Sequence, residues 1–317
     1  MATSVPTPHT IIDDKSPHCI PFILACLSAH QTRNSHNNDE EGASSSRPFI
    51  IGLNGVQGAG KTTLVSALSA TLRSQCHLET LVCSIDDLYL THADQTALAA
   101  HHASNPLVQH RGQPGTHDME LAAELFSALR EGRETKVPQY DKSAIKGAGD
   151  RVPRSKWDTI NGPGQPKVRV VIFEGWCVGF RSLQEEEVER KWKACQNIGE
   201  SRLRRHRLED LLFVNERLKG YDKMTETFEA FLHIDAQETN FVYEWRLEQE
   251  ALLRKVKGTG MTDQQVTSFV DGYYPAYELF TDVLRKGIFS GRATEWKGRQ
   301  LRLVIGRDRR VVEVMKI

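Results

Sequence analysis

Three short apolar runs punctuate the chain, at residues 48–54, 78–85 and 167–173. The first, Pro-Phe-Ile-Ile-Gly-Leu-Asn, has the continuous apolar, β-branched character of a parallel strand buried on both faces. Between and after these runs the pattern changes to helical spacing. Residues 62–72 form one such stretch, and another begins at Met119 with Asp118 as its N-cap. Residues 181–230 are rich in Glu, Arg and Leu at helical spacing, and their cluster Arg202, Arg204, Arg205 and Arg207 reads as a solvated helical face. Residues 240–257 place Phe241, Trp245, Gln249, Leu252 and Val256 on one mostly apolar face, with Arg246, Glu250 and Arg254 at i, i+4 and i+8 on another. Residues 301–305 and 310–315 flank a Gly-Arg-Asp-Arg turn and predict a hairpin at a sheet edge. This alternation of strands and helices predicts an α/β fold with a mostly parallel central sheet covered on both faces.

The first 47 residues differ from the rest. Residues 15–33 predict one amphipathic helix, whereas residues 30–47 include Asn-Asn-Asp-Glu-Glu-Gly-Ala-Ser-Ser-Ser, which has nothing to bury and predicts a flexible connection. The expected organisation is an N-terminal helix and polar linker over residues 1–47. A catalytic domain over 48–317 follows, with a helical insertion at about 181–230.

The first strand runs directly into Gly55-Val56-Gln57-Gly58-Ala59-Gly60-Lys61-Thr62, which satisfies every fixed position of the phosphate loop G-x-x-x-x-G-K-[ST] and opens a helix. Glycines let the backbone curl so that successive N–H groups point at a β-phosphate, and the helix N-terminus adds a favourable dipole. Lys61 is expected to reach the β and γ oxygens, the Thr62 hydroxyl to ligate Mg2+, and Gly55 to Thr63 to line an ATP site. The fold expected is therefore the three-layer P-loop NTPase sandwich.

Both remaining strands end in carboxylates, at the sheet edge where ligands of open α/β sheets bind. Asp86 and Asp87 follow the second, and Glu174 follows the third. Phosphoryl transfer to a hydroxyl needs a group that accepts a proton and helps hold Mg2+, which makes Asp86 the candidate base. Adjacent aspartates at a strand end also suit a plain helix cap. Glu174 fits a metal-touching role of the Walker-B kind.

Composition narrows the partners. Lys plus Arg and Asp plus Glu both number 41 in 317 residues, so no net basic field draws the chain to nucleic acid or anionic lipid. No apolar run is long enough for a membrane span, and no cationic leader precedes residues 21–29, which predicts a cytoplasmic protein acting on small molecules. Six scattered cysteines without a C-x-x-C pair predict reduced thiols. Oligomeric state is left open, a monomer being the simpler expectation.

The phosphate loop, Ser84-Ile-Asp-Asp-Leu-Tyr89, Arg111-Gly-Gln-Pro-Gly-Thr-His-Asp118, Val137-Pro-Gln-Tyr-Asp-Lys-Ser143, Gly149-Asp-Arg151, Phe173-Glu-Gly-Trp176 and Tyr243-Glu-Trp-Arg-Leu247 together resemble the D-glycerate 3-kinases of plants and their fungal relatives. The likeness spans about residues 48–310. This group lies within the phosphoribulokinase, uridine kinase and pantothenate kinase superfamily of P-loop kinases. The resemblance implies ATP- and Mg2+-dependent phosphorylation of D-glycerate, with Asp86 as general base. It also implies that residues 240–257 form a lid helix whose Arg246 and Arg254 close on the phosphates, Arg246 in a catalytic role and Arg254 in ATP binding. Leu88 stands where the plant enzymes carry Phe, and Ile145-Lys146 where they carry Tyr-Ser.

Arg111, His117, Lys142 and Arg151 sit on Gly- and Pro-rich loops and supply charge or donors suited to a small hydroxy acid, since a guanidinium matches a carboxylate with two parallel hydrogen bonds. Tyr89, Asp118 and Tyr140 complete the candidate acceptor pocket, Asp118 serving equally as a helix cap. Other readings are a kinase for a nucleoside, pantothenate-like acid or sugar phosphate, and an ATP-dependent switch. Residues 257–260, Lys-Gly-Thr-Gly, suit either a lid hinge or a helix C-cap.

Overall fold

The computed structural model describes residues 13–37, 47–196 and 201–317. Six strands form one sheet: β1 (Phe49–Gly55), β2 (Thr80–Ser84), β3 (Val170–Gly175), β4 (Ala230–Ala236), β5 (Gln300–Ile305) and β6 (Val311–Lys316). Their spatial order is β2-β3-β1-β4-β5-β6, parallel throughout except for β6, which pairs antiparallel with β5 as the predicted hairpin. The helices are α1 (Ser16–Asn37), α2 (Lys61–Ser74), α3 (His92–His101), α4 (Met119–Arg130), α5 (Glu185–Cys195), α6 (Leu208–Leu218), α7 (Asp222–Thr225), α8 (Phe241–Lys257) and α9 (Asp263–Lys286). β1 and β4 are buried along their whole length, as continuous apolar runs between two helical layers require.

Register decides where the chemistry sits. Leu53 and Ser84 both lie opposite Glu174 across β1, β3 and β2, so the phosphate loop, Asp86 and Glu174 leave the sheet at one edge. Strand β4, Ala-Phe-Leu-His-Ile-Asp-Ala, was not anticipated from the sequence, although its apolar run resembles that of β1.

Two expectations change. The helix expected over residues 15–33 extends to Asn37, taking in the start of the segment read as a connection; residues 38–46 of that segment lie outside the described residues. Cys19, Phe22, Ile23, Cys26 and Leu27 of α1 belong to the same buried core as the sheet, so the division expected near residue 48 is one of composition and not of packing. The apolar face assigned to α8 is also displaced: its buried residues are Val242, Trp245 and Glu250, while Leu252 and Val256 are exposed. The cause is polar anchoring of its second half, where Glu250 accepts the Met261 N–H and Arg254 donates to the Met261 carbonyl.

All six cysteines are free. Among the described residues no helix is long and apolar enough to cross a membrane. The basic cluster is largely paired with acids: Arg202 and Arg205 contact Asp271, and Arg207 contacts Asp210.

Candidate active site

The phosphate loop takes its shape from residues that tolerate left-handed backbone. Gly60, with φ +89°, is the N-cap of α2. Gly58 has φ +80°, and a Cβ added there would stand only 2.5 Å from the Trp245 Cβ. Only glycine allows α8 to press this closely on the loop. Lys61 folds back to donate to the Gly55 carbonyl at 2.7 Å and the Val56 carbonyl at 3.3 Å. Burial pulls the Lys61 ammonium below its ordinary value, and the Glu174 and Asp86 carboxylates nearby oppose that effect. The Gln57 N–H meets the Tyr277 hydroxyl of α9 at 3.4 Å. Thr62 and Thr63 open α2 and are exposed.

A buttress that sequence reading treated only as a turn stands behind this loop. Arg309, at φ +65° in the β5–β6 turn and 4% exposed, donates from Nε to the Gly58 carbonyl at 2.8 Å and pairs with Glu248 of α8 at 2.6 Å. Its guanidinium lies over the Trp245 ring, and its own carbonyl accepts the Lys15 ammonium at 2.6 Å. The chain segment before α1, the terminal hairpin and α8 thus converge on one glycine. Nothing in the short-range pattern of Gly-Arg-Asp-Arg signals this role.

The two aspartates after β2 divide the roles that the sequence left open. Asp87 completes a capping box with Ser84 and accepts the Tyr140 N–H at 3.2 Å, so it ties the 140s loop to the sheet. Asp86 instead faces the cleft and pairs with Lys142 at 2.5 Å. Burial would raise the Asp86 carboxyl, but the Lys142 ammonium, by charge and by hydrogen bond, and Lys61 outweigh it and hold the group below the usual carboxylate value. Asp86 is therefore ionised at neutral pH.

On the acceptor side the predicted residues meet, though several are already occupied. Arg111 donates to the carbonyls of Lys142, Gly147 and Ala148 and lies over the Tyr140 ring, holding residues 142–148 in place. Arg151 donates to the Tyr89 carbonyl and to Asp118, whose other oxygen caps α4 at the Leu121 N–H. The free guanidinium clamp expected of Arg111 and Arg151 is thus replaced by a scaffold: these forks are matched to protein oxygens, Arg111 across the 142–148 loop of the short 140–141/150–151 ladder and Arg151 from that ladder to Tyr89 and Asp118. Lys142 remains the more exposed cation beside Asp86.

His117 is 4% exposed and stacks on Tyr89, with ring centroids 4.4 Å apart. Burial lowers its pKa to about 4 despite the opposing pull of Asp86, so the ring is neutral. Tyr89 is itself buried, and its phenol pKa is raised well above the ordinary value by burial and by Asp86. Further aromatics that sequence reading missed close this side: Tyr273 and Tyr277, one turn apart on α9, pack edge-on against Trp176. Their i, i+4 spacing was the available signal.

The lid arginines are placed differently from each other. Arg246 lies over Phe269, bonds Gln249, and sits near enough to Tyr277 to influence its phenol. Arg254 is engaged by the Met261 carbonyl and Asp263. Gly258, at φ +71°, is the α8 C-cap, so of the two readings of residues 257–260 the cap is realised.

Comparison with known proteins agrees with this architecture. Residues 50–182 match the Phosphoribulokinase / Uridine kinase family. The chain is 41% identical over 243 residues to the uncharacterized kinase mug58 of Schizosaccharomyces pombe, covering 75% of this chain and 83% of that one. It is 35% identical over 270 residues to the chloroplastic D-glycerate 3-kinase of Arabidopsis thaliana, covering 84% of this chain and 54% of the plant protein. The solved structure of a D-glycerate 3-kinase from Cryptococcus neoformans var. grubii superposes with a TM-score of 0.82 at 30% identity, covering 95% of this chain and 99% of its own.

Proposed function

This chain belongs to the phosphoribulokinase and uridine kinase family, and on that premise we propose that it transfers the γ-phosphoryl group of ATP to D-glycerate, forming 3-phosphoglycerate. The observation that carries the reading is the meeting of Asp86 and Glu174, from neighbouring strand ends, around the Lys61 ammonium of the phosphate loop. The acceptor assignment is supported by relatives named D-glycerate 3-kinase and by the Lys142 cation that pairs with Asp86.

Asp86 accepts the proton of the attacking hydroxyl, whose oxygen bonds the γ-phosphorus as the bridging oxygen leaves with ADP. Lys61 and the loop amides hold the phosphates, and Arg246 offsets charge as the phosphoryl group moves. Arg254 serves the turn after α8 and reaches ATP only by releasing Asp263. The all-oxygen donor set of Thr62, Asp86 and Glu174 suits Mg2+, which is commonly held by one or two carboxylates and substrate phosphates. When bound, that ion would neutralise charge on the β- and γ-phosphates.

The Asp86–Lys142 pair gives acceptor binding a direct effect on the base. A carboxylate entering beside Lys142 draws the ammonium away, leaving Asp86 free to take the hydroxyl proton. Arg111 and Arg151 act by holding the loops that carry Lys142, Tyr140 and Tyr89, and Asp118 by orienting Arg151.

The test is ADP release with MgATP across a panel of small hydroxy acids, nucleosides and alcohols, followed by location of the phosphate in the product. Strong stimulation by D-glycerate with 3-phosphoglycerate formed is expected. Stimulation by another compound alone would move the substrate, and none by any, with ATP still bound, would overturn the kinase reading.

A further inference from the structure

Tyr221 lies in the turn between α6 and α7, inside the segment that sequence reading treated as a helical insertion. Its side chain nevertheless enters the acceptor side of the cleft, where its hydroxyl meets His117 Nδ1 at 2.6 Å. The same oxygen accepts the Gly115 N–H at 3.1 Å. Beyond that N–H the phenol reaches no acceptor but Nδ1 among the described residues, so its own hydrogen, which would otherwise be buried without an acceptor, is donated to Nδ1. Burial keeps that phenol protonated and hence a donor. A neutral imidazole that accepts at Nδ1 must carry its hydrogen on Nε2.

His117 Nε2 is buried and has no hydrogen-bond partner among the described residues. A buried donor left without a partner forfeits the hydrogen bond it would make in water, so such an atom, on a ring that stacks on Tyr89 next to the Asp86 segment, calls for a ligand acceptor. Turning the ring over within its plane would put Cδ2 against the Tyr221 hydroxyl and forfeit the 2.6 Å bond, so that bond holds Nδ1 on the protein while Tyr89 and Tyr221 set the plane of the ring.

We propose that Tyr221 is a positioning residue that fixes His117 as an Nε2–H donor, and that this donor selects the acceptor by hydrogen bonding an oxygen of it next to the attacked hydroxyl. The inference rests on the kinase reading above for its ligand, a small molecule with a carboxylate or second hydroxyl adjacent to the reacting carbon. The tautomer itself does not depend on that reading.

The experiment has two arms. Two-bond 15N–1H correlation spectra of the full-length protein at pH 7, without substrate, read the His117 ring directly. The neutral Nε2–H form is expected in the natural sequence, and its loss or mixing with the Nδ1–H form in Tyr221→Phe. A neutral Nδ1–H ring or a charged ring in the natural sequence overturns the proposal, whether or not any acceptor has been identified.

The kinetic arm compares His117→Phe with His117→Gln, whose amide nitrogen can stand near the position of Nε2. His117→Phe is expected to raise the acceptor KM about ten- to a hundredfold with the ATP KM unchanged, the size of one hydrogen bond to a charged or buried group. His117→Gln is expected to recover most of that loss, and Tyr221→Phe to fall between. Equal KM values for Phe and Gln, or a parallel rise in the ATP KM, would show that the ring only fills space. Should no compound act as acceptor, the kinase reading fails while the spectra still decide the tautomer.

Discussion

The nucleotide side of the cleft is made by consecutive residues, and the acceptor side by residues from widely separated segments. Gly55 to Thr63 fold as one strand–loop–helix unit whose backbone is held within the protein, Lys61 bonding its own loop and Gly58 being clamped by Arg309 and Trp245, although the Gln57 side-chain oxygen is buried without a partner among the described residues. Across the cleft, His117, Lys142, Arg151, Trp176, Tyr221 and Tyr273 come from different loops and helices. Some of their polar atoms, His117 Nε2 and Trp176 Nε1 among them, are buried without partners among the described residues. Triphosphate is a common ligand bound through backbone geometry, so a local motif suffices for it. A small acceptor is distinguished by individual donors and cations, which have to be assembled by the tertiary fold.

Asp86 and Lys61 stand on the boundary, and substitution of each breaks one side. Asp86→Asn is expected to lower kcat by about 10²–10⁴-fold, the usual size of general-base help, with ATP still bound. Turnover within a fewfold of the natural enzyme would reject Asp86 as base. Lys61→Ala is expected to weaken ATP binding itself, so titration of nucleotide into the two variants separates the sides. If ATP affinity and turnover both survived, this loop would not be the phosphate site.

The same contrast explains what the sequence made legible. Spacing of a few residues identified β1, the phosphate loop, the Asp118 cap and the terminal hairpin, because each is decided by near neighbours. It also brought Asp86 and Glu174 to one edge, since parallel strands end together. It missed Tyr221 and Arg309, whose partners His117 and Gly58 lie 104 and 251 positions away. It gave Arg111 and Arg151 to the ligand for a related reason: a guanidinium on a glycine-rich loop has the same composition whether it meets a substrate carboxylate or a protein carbonyl. The displaced face of α8 shows the limit of periodicity as well, because a buried Glu250 with the Met261 N–H as partner cannot be told from a surface charge by spacing.

Lys142→Met probes the acceptor side through its ion pair with Asp86. Lys142 holds the Asp86 carboxyl below its ordinary value against the opposing effect of burial. Removing the ammonium leaves burial unopposed by its largest counterweight, so the Asp86 carboxyl moves up. Because Asp86 works as the ionised form, the acid limb of kcat/KM is expected to move to higher pH. The sign for stability is the same: a depressed carboxyl adds stability above its unfolded pKa that is lost as pH falls through the folded one, and the variant gives up part of that gain. The acceptor KM is expected to rise about tenfold, as for loss of one charge-assisted contact. An unmoved acid limb would mean that the pair does not govern the base.

Arg309→Lys tests the nucleotide side, and there the expected effect is smallest. Lysine keeps the charge but cannot bond the Gly58 carbonyl and the Glu248 carboxylate from one planar fork, nor cover the Trp245 ring as a guanidinium does. The loop that α8 presses against Gly58 then has one support fewer, and only its backbone geometry is affected. The ATP KM is expected to rise about three- to tenfold, corresponding to roughly one hydrogen bond of net worth. The acceptor KM and the pH profile should stay where they are, because neither Asp86 nor His117 touches the buttress. A variant in which both KM values moved together would show that the two sides of the cleft are mechanically one, and that they are separate only in sequence.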